Sequence, residues 1–261
     1  MTKKIWIDTD IGTDVDDLLA LIYALKNPEL EVVGISTAHG DAMKRAKIAS
    51  RVADLLGKKI TVAAGADGPV GGDASYRGLG FEGEGIDYQS AKVASFPSAG
   101  YLEQALCDSK ITIACIAPMT NIALALGAAP VGANFYIMGG NANSHNFRMD
   151  EKAASEVLKY KTQITLIPTE VAKKTYLTME EVAGLKTGNA ELDRAIAVNA
   201  KNWLKFSAYK DQGIFYLYDP LTIAAIARPD LVRVQESNGI KAAVDVDSQA
   251  FKEHFLEVLI K

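Results

Sequence analysis

An acidic segment near the start of the chain, DTDIGTDVDD, contains the residues best suited to chemistry. It places five carboxylates within ten residues, namely Asp8, Asp10, Asp14, Asp16 and Asp17. Like charges this close raise one another's pKa values unless something offsets their repulsion. The amides at a helix N-terminus stabilise one or two of them. A bound cation accounts for the others, and an all-oxygen ligand set suits Ca²⁺ or Mg²⁺.

Two other interpretations of this segment stay open. In the first, Asp14 caps the following helix and the other carboxylates are solvated surface charges, which leaves Asp8 and Asp10 at a strand end unexplained. In the second, DTDIGT resembles the nucleophile motif of haloacid dehalogenase-like phosphatases, in which the first Asp attacks phosphorus. Those enzymes need an acidic pair after a distant strand, whereas the pair Asp16-Asp17 follows at once here.

The elements that must position these residues are short apolar runs that alternate with amphipathic stretches. Such alternation predicts an α/β fold, a single domain over residues 1–261 with a mainly parallel open sheet flanked by helices. The predicted strands are Lys4–Asp8, Glu31–Thr37, Ile60–Ala64, Ile111–Ile116, Asn134–Met138 and Gln163–Ile167. The predicted helices are Asp16–Lys26, Ala42–Leu56, Ala99–Ser109, Asn121–Ala128 and Glu151–Tyr160. After Arg228, two strands near Leu231–Gln235 and Gly239–Val246 and a helix from Ser248 are expected.

Polar and glycine residues follow several of the predicted strands. An open parallel sheet binds its ligands beyond the carboxyl ends of its strands. The acidic segment follows the first strand, His39 and Asp41 follow the second, and Gly139-Gly140-Asn141 follows the fifth. The sequence therefore predicts a site at this edge of the sheet, beside the glycine-rich stretch Gly65–Tyr88.

The composition narrows the choice of partners and compartment. The chain has 261 residues and a net charge of −4, which gives no electrostatic reason to expect nucleic acid or an anionic membrane as a partner. The N-terminal residues reach acidic positions too soon for a signal peptide, and no run approaches a membrane span. Cys107 and Cys115 lie in apolar surroundings and predict small core residues rather than a disulfide. We expect a cytoplasmic protein.

Five motifs, in order along the chain, carry a family resemblance. The acidic segment with its continuation LLALIYAL resembles the Asp-x-Asp-x-Gly-x-Asp-Asp signature of inosine–uridine preferring nucleoside hydrolases, with two extra residues before the acidic pair. Further along, ITIACIAPMTNIALAL, FYIMGGN, HNFRMDEKAA and YDPLTIAA are similar to four later segments of the same family. Any one of them is a weak signal, whereas five in register indicate the family.

The resemblance implies a Ca²⁺ site and a reaction. Asp10, Asp17 and Asp219 would ligate the ion through carboxylates, and Ile116 would add its backbone carbonyl. A water molecule bound to the metal would be activated by Asp10 as general base and would attack the anomeric carbon of a ribosyl group. The products would be ribose and a free base, as in purine and pyrimidine salvage.

The resemblance also implies how the substrate is held. Asp16 and Asn146 would bind ribose hydroxyls of a small-molecule nucleoside, and Asp41 and Tyr218 occupy two further substrate-binding positions. Members of the family are often dimers or tetramers, so a homo-oligomer is expected. Tyr209 and Tyr216 would either stack on the base or belong to the core.

Some positions depart from the family pattern. Tyr218 replaces the His that is associated with protonating the departing base, and its ordinary pKa of about 10 makes it a weak acid at neutral pH. Ser144 replaces the Glu that binds the ribose 5′-hydroxyl, Glu82 lies near the position of a base-side His, and Asp41 replaces an Asn. These departures leave open a non-catalytic relative that binds a ribosyl group or a metal.

Several residues also have a plain structural interpretation. Asp219 precedes Pro220 and an apolar helix, so it is a candidate N-cap. His39 and His145 are isolated, which favours structural hydrogen bonds over catalysis.

Overall fold

A sheet of eight strands runs through the molecule, which was described with a computed structural model covering residues 2–72, 78–95, 97–126, 131–206 and 212–260. In chain order the strands are β1 (Lys3–Thr9), β2 (Leu30–Thr37), β3 (Thr61–Ala64), β4 (Ile111–Cys115), β5 (Asn134–Met138), β6 (Ile164–Ile167), β7 (Tyr176–Thr178), β8 (Ile214–Tyr216), β9 (Val232–Ser237) and β10 (Ile240–Val246). The large sheet has the order β3-β2-β1-β4-β5-β6-β10-β9 and is parallel except for the β10–β9 pair. Strands β7 and β8 form a separate antiparallel pair.

Helices cover both faces of this sheet. They are α1 (Val15–Lys26), α2 (Ala42–Leu55), α3 (Ser98–Cys107), α4 (Thr120–Ala125), α5 (His145–Met149), α6 (Glu151–Val157), α7 (Thr169–Ala172), α8 (Met179–Gly184), α9 (Ala190–Phe206), α10 (Tyr218–Ala227) and α11 (Ser248–Ile260). Two short 3₁₀ turns span Lys161–Gln163 and Pro229–Leu231. The arrangement confirms the predicted α/β fold.

Helix α1 lies in the centre of the core. Its residues from Val15 to Leu25 are all buried, because it packs against the sheet on one side and against α9, α10 and α11 on the others. A helix that is apolar all round needs such an enclosed position. The acidic residues at its N-terminus are therefore carried into the interior with it, and its first turn faces the carboxyl end of β1.

The predicted elements are all present, with small shifts at their ends. The strand Asn134–Met138 has its predicted bounds, whereas the helix predicted over Glu151–Tyr160 ends at Val157. The end predicted at Ala128 lies outside the described residues. The two strands and the helix of the C-terminal tail are also confirmed.

Helix α9 was missed, although its sequence contains the usual signals. Asn189 caps it by accepting hydrogen bonds from the amides of Glu191 and Leu192. Buried Leu192 and Ile196 then recur at helical spacing. The β7–β8 pair was also missed, because strands of three residues leave too short a pattern to recognise.

The cysteine prediction is right for one residue and wrong for the other. Both thiols are free, and Cys115 is buried as expected. Cys107 is exposed, because the buried face of α3 carries Leu102, Ala105 and Leu106 and the next residue turns to solvent. Among the described residues, no helix combines the length and apolar character needed to cross a membrane.

A buried arginine of α2 supports the loop between β1 and α1. Arg45 is only 2 % exposed. Its guanidinium donates to the carbonyls of Asp10 and Ile11, the latter at 2.7 Å, and also to the His39 carbonyl at 2.7 Å. A further bond reaches the Thr13 hydroxyl at 3.0 Å. Within the described chain it forms no ion pair with a carboxylate. Its donors instead stabilise the turns after β1 and β2.

Replacing Arg45 by Met should destabilise the protein by about 2–4 kcal/mol, because several buried carbonyls lose their donor at once. Arg51→Met on the same helix provides a matched control. Arg51 forms an ion pair of 2.7 Å with Glu191 nearer the surface, and such pairs contribute about 0–1 kcal/mol. Urea unfolding measures both changes. Equal, small losses would contradict a structural role for Arg45.

Candidate active site

A cavity of about 790 Å³ opens at the carboxyl ends of the parallel strands. This is the position that the sheet topology predicts for a ligand. Residues from the turns after β1, β2, β4, β5 and β6 line it, together with residues of α9, α10 and the glycine-rich stretch. Among the predicted site residues, the cavity lining includes Asp10, Asp16, Asp17, Ile116, Asn146, Tyr218 and Asp219.

Three carboxylates meet at the floor of the cavity. Oxygens of Asp16, Asp17 and Asp219 lie within 4.8 Å of one another, and all three residues are buried. The Thr9 hydroxyl donates to Asp17 Oδ1 at 2.5 Å. The amide of Asp219 donates to Asp16 Oδ2 at 3.2 Å, which ties α10 to the start of α1. No lysine or arginine of the described chain forms an ion pair with any of the three.

Burial and mutual repulsion shift these carboxylates in the same direction. Burial is the main cause that raises the pKa values of Asp16, Asp17 and Asp219 well above the ordinary value for Asp. Neighbouring negative charges, including that of Asp10, raise them further, and Arg45 offsets only part of this for Asp17. A hard cation reverses this effect, because it favours the ionised form of each ligand. The donor set, three buried carboxylates whose charge the described basic residues offset only in part, fits a divalent cation with oxygen ligands.

Asp10 lines the same cavity but stands outside the group of three. Its side chain is partly exposed, at the end of β1. Asp16, which the resemblance assigned to the sugar, belongs to the group instead. Ile116 follows β4, and its amide donates to the Asp8 carbonyl at 2.9 Å, which aligns the end of β4 with the acidic loop.

Of the four predicted substrate-binding residues, Asp16, Asn146 and Tyr218 line the cavity and Asp41 does not. Asn146 is buried on α5, with its amide nitrogen 3.4 Å from the Met138 carbonyl. Tyr218 begins α10, and its ring lies 5.4 Å from that of Tyr216. Asp41 is exposed and caps α2 by accepting from the Lys44 amide at 2.8 Å. It is not a lining residue, because its side chain turns back to its own helix. Tyr209 lies outside the described residues.

Of the structural interpretations of the acidic residues, the helix cap at Asp14 is confirmed, whereas the cap at Asp219 and the solvated acidic pair are wrong. Asp14 does cap α1, accepting from the Asp16 amide at 3.4 Å, and it also lines the cavity. Asp219 is not an N-cap, since Leu217 holds that position and Asp219 lies in the first turn. The acidic pair Asp16-Asp17 is buried rather than solvated.

The Asp8 side chain is held inside the protein by hydrogen bonds. It is fully buried and accepts from Ser36 Oγ at 2.5 Å and Asn121 Nδ2 at 2.8 Å. Burial, opposed by these bonds, raises its pKa to about 7. It does not line the cavity, so it is poorly placed for the nucleophilic attack that the phosphatase interpretation requires.

Glu82 holds the glycine-rich stretch rather than a substrate. It is buried and accepts from the amides of Leu79, at 2.5 Å, and Gly80, at 2.9 Å. The Thr13 hydroxyl lies 3.4 Å from the same carboxylate. Leu79 itself lines the cavity, so Glu82 fixes one of its walls.

Other lining residues were not found from the sequence. They are Thr13, Arg148, Met149, Thr169 and Lys173, and both His39 and His145 also border the cavity. Thr169 and Lys173 follow β6, a central strand of the parallel sheet. Their position after its carboxyl end is enough to predict that they border the site. Trp203 also lines the cavity, and it is carried there by α9, a helix that was not predicted.

Comparison with known proteins agrees with this geometry. Residues 5–254 match the family model described as inosine-uridine preferring nucleoside hydrolase. Uridine nucleosidase 1 of Arabidopsis thaliana is 26% identical over 275 residues, covering 95% of this chain and 79% of that protein. The pyrimidine-specific ribonucleoside hydrolase RihA of Escherichia coli is 26% identical over 260 residues, covering 90% and 83%.

Solved structures show the same fold. The plant nucleoside hydrolase PpNRh1 superposes with a TM-score of 0.84 at 22% identity, covering 100% of this chain and 99% of that one. A purine-preferring ribonucleoside hydrolase from Gardnerella vaginalis gives a TM-score of 0.84 at 25% identity, covering 99% and 98%. Since the family match spans nearly the whole chain and the acidic cavity lies where the fold binds ligands, the chain belongs to the inosine-uridine preferring nucleoside hydrolase family, enzymes that cleave N-glycosidic bonds.

Proposed function

We propose that the protein catalyses Ca²⁺-dependent hydrolysis of the N-glycosidic bond of a ribonucleoside or a related N-ribosyl compound. The observation that carries this proposal is the group formed by Asp16, Asp17 and Asp219, buried at the floor of a cavity large enough for such a substrate. We also propose a cytoplasmic homo-oligomer, a dimer or tetramer, on the strength of the family resemblance.

The residues that would hold the ion come from three parts of the chain. They are Asp10 and Asp17 around the β1–α1 loop, the carbonyl of Ile116 after β4, and Asp219 on α10, with Asp16 close enough to join them. When bound, the ion supplies positive charge that orients the ribose diol and lowers the pKa of a nearby water molecule. Several carboxylates and a carbonyl suit Ca²⁺, which takes six to eight oxygen ligands.

Asp10 is proposed as the general base. It takes a proton from the water molecule whose oxygen forms the new bond to C1′, while the electrons of the C1′–N bond leave with the base. The sugar gains positive charge as this bond breaks, and the surrounding carboxylates stabilise that charge. Asn146, which lines the cavity, is proposed to hold a ribose hydroxyl with its amide and so to fix the orientation of the ring.

Asp10→Asn should lower kcat by at least about 100-fold, because the amide cannot accept the proton that a general base removes. The partial exposure of Asp10 makes the folded state tolerant of the change. Release of reducing sugar from uridine and inosine, with the unfolding midpoint measured in parallel, provides the check. Unchanged turnover would contradict the mechanism.

Adding calcium to metal-free protein should raise Tm, by roughly 5–10 °C at a free concentration 100 times the Kd. Asp219→Asn should remove most of this rise, and its metal-free Tm should equal or exceed that of the wild type because one buried repulsion is gone. Asp41→Asn is the matched control, since Asn still caps α2 and the residue lies outside the cavity. A calcium response that Asp219→Asn leaves intact would refute the site.

Tyr218 is proposed to donate the proton to the departing base. Tyr218→Phe should then slow hydrolysis of uridine or inosine by about 10²–10⁴-fold but leave p-nitrophenyl riboside nearly unaffected, because nitrophenolate departs without a proton. Tyr216→Phe, one ring away, is the control. Equal losses on both substrates would assign Tyr218 to binding instead.

A further inference from the structure

The cavity has an uneven distribution of charge. Among the described residues, the carboxylates that line it come from the β1–α1 region and from α10: Asp10, Asp14, Asp16, Asp17 and Asp219. The described lining residues contributed by the segments after β5 and β6 include no acid but contain Arg148 and Lys173. In the sheet, β5 and β6 lie two and three strands from β1, so their ends are roughly 10 and 14 Å away. One cavity therefore has an acidic end and a basic end.

Contacts with the described residues do not explain the position of the Arg148 side chain. It is exposed on α5 at the cavity wall and, among the described residues, forms no ion pair. The nearby carboxylate of Asp150 is already occupied, because it accepts from the Thr120 hydroxyl and the amides of Val70 and Ala153. A guanidinium presents several donors in a planar fork that matches phosphate oxygens.

Polar groups without negative charge line the same end. The Ser144 hydroxyl accepts from the Gly140 amide at 3.0 Å, which leaves its own proton available to donate. Thr169 adds a second hydroxyl and Lys173 a second positive charge. Hydroxyl donors and positive charges grouped in this way favour an anionic ligand group.

A third zone of the cavity is apolar and aromatic. Leu79, Trp203 and Tyr218 line it from the glycine-rich stretch, α9 and α10. Such a surface suits a planar base. The three zones thus correspond to three parts of one molecule: the ribose diol and C1′ at the acidic end, the base on the aromatic wall, and an anion at the basic end. With the diol and C1′ occupied, C5′ is the position of the ribose left to carry the anion.

We propose that the preferred substrate is a ribonucleoside 5′-monophosphate, a choice of substrate that rests on the proposed N-ribosyl hydrolase function. The reaction gives ribose 5-phosphate and the free base. Water adds its oxygen to C1′, its proton is taken up by the protein, and the base leaves with the C1′–N electron pair and gains a proton. The phosphate ester stays intact, with Arg148 and Lys173 as binding residues for its oxygens.

The first experiment compares kcat/KM for uridine with uridine 5′-monophosphate, and for inosine with inosine 5′-monophosphate, in the calcium-loaded protein. Free base and inorganic phosphate are measured separately. We expect the monophosphate to be favoured by about tenfold or more, the range of one or two charge-assisted hydrogen bonds, without release of inorganic phosphate.

Variants test whether the basic end causes this preference. Arg148→Gln should lower the ratio of monophosphate to nucleoside kcat/KM by about tenfold, mainly through KM, and Lys173→Gln should lower it less. Lys174→Gln is the matched control, because Lys174 is exposed, pairs with Asp245 at 2.6 Å and does not line the cavity. It should leave the ratio unchanged. The control matters because calcium alone also attracts phosphate.

The outcomes separate this inference from the proposed function. Cleavage of nucleosides with no preference for monophosphates, or a preference that Arg148→Gln leaves unchanged, overturns the substrate assignment and leaves the hydrolase standing. Release of inorganic phosphate without free base overturns both. If neither substrate is cleaved, calorimetry with ribose 5-phosphate and ribose decides: tighter binding of the phosphate that Arg148→Gln weakens supports the site, and equal binding refutes it.

Discussion

Three buried carboxylates, those of Asp16, Asp17 and Asp219, are held within 4.8 Å of one another, and no lysine or arginine in the described part of the chain forms an ion pair with them. Left alone, such a group opposes folding, because both burial and mutual repulsion disfavour its ionised form. A divalent cation removes this penalty, and a sugar that develops positive charge is stabilised by the same field. The same three negative charges therefore destabilise the metal-free protein and would stabilise the positive charge that develops on the sugar in the proposed reaction.

The surrounding structure keeps this group in place. The apolar helix α1 carries two of the carboxylates into the core, and α10 packs against it to bring the third. Arg45 binds the carbonyls of the loop that precedes α1, and Thr9 donates to Asp17. Arg45 supplies a positive charge near the acids but directs its donors to carbonyls, so the carboxylates stay available for a metal.

The cavity is a single space with three chemical surfaces, acidic, aromatic and basic. The acidic surface comes from the β1–α1 region and α10, the basic one from the segments after β5 and β6, and the aromatic one from the glycine-rich stretch, α9 and α10. Loops and helix ends around a parallel sheet can vary while the sheet itself is retained. The acidic surface agrees with membership of the nucleoside hydrolase family. The basic surface, at Arg148 and Lys173, is the basis for proposing a phosphate group on the substrate.

Local periodicity and motifs read in order along the chain were enough to predict the strand–helix alternation, a site at the acidic segment, and the family. The same motifs led to Asp10, Asp17 and Asn146, and all three line the cavity at the strand ends. Three placements were not predicted: Asp16 joins Asp219 in the acidic group, Asp41 turns away to cap its helix, and Arg148 and Lys173 line the cavity. Those placements depend on strand order and on the direction of each side chain at a turn. Both follow from long-range packing, which a local pattern of residues does not encode.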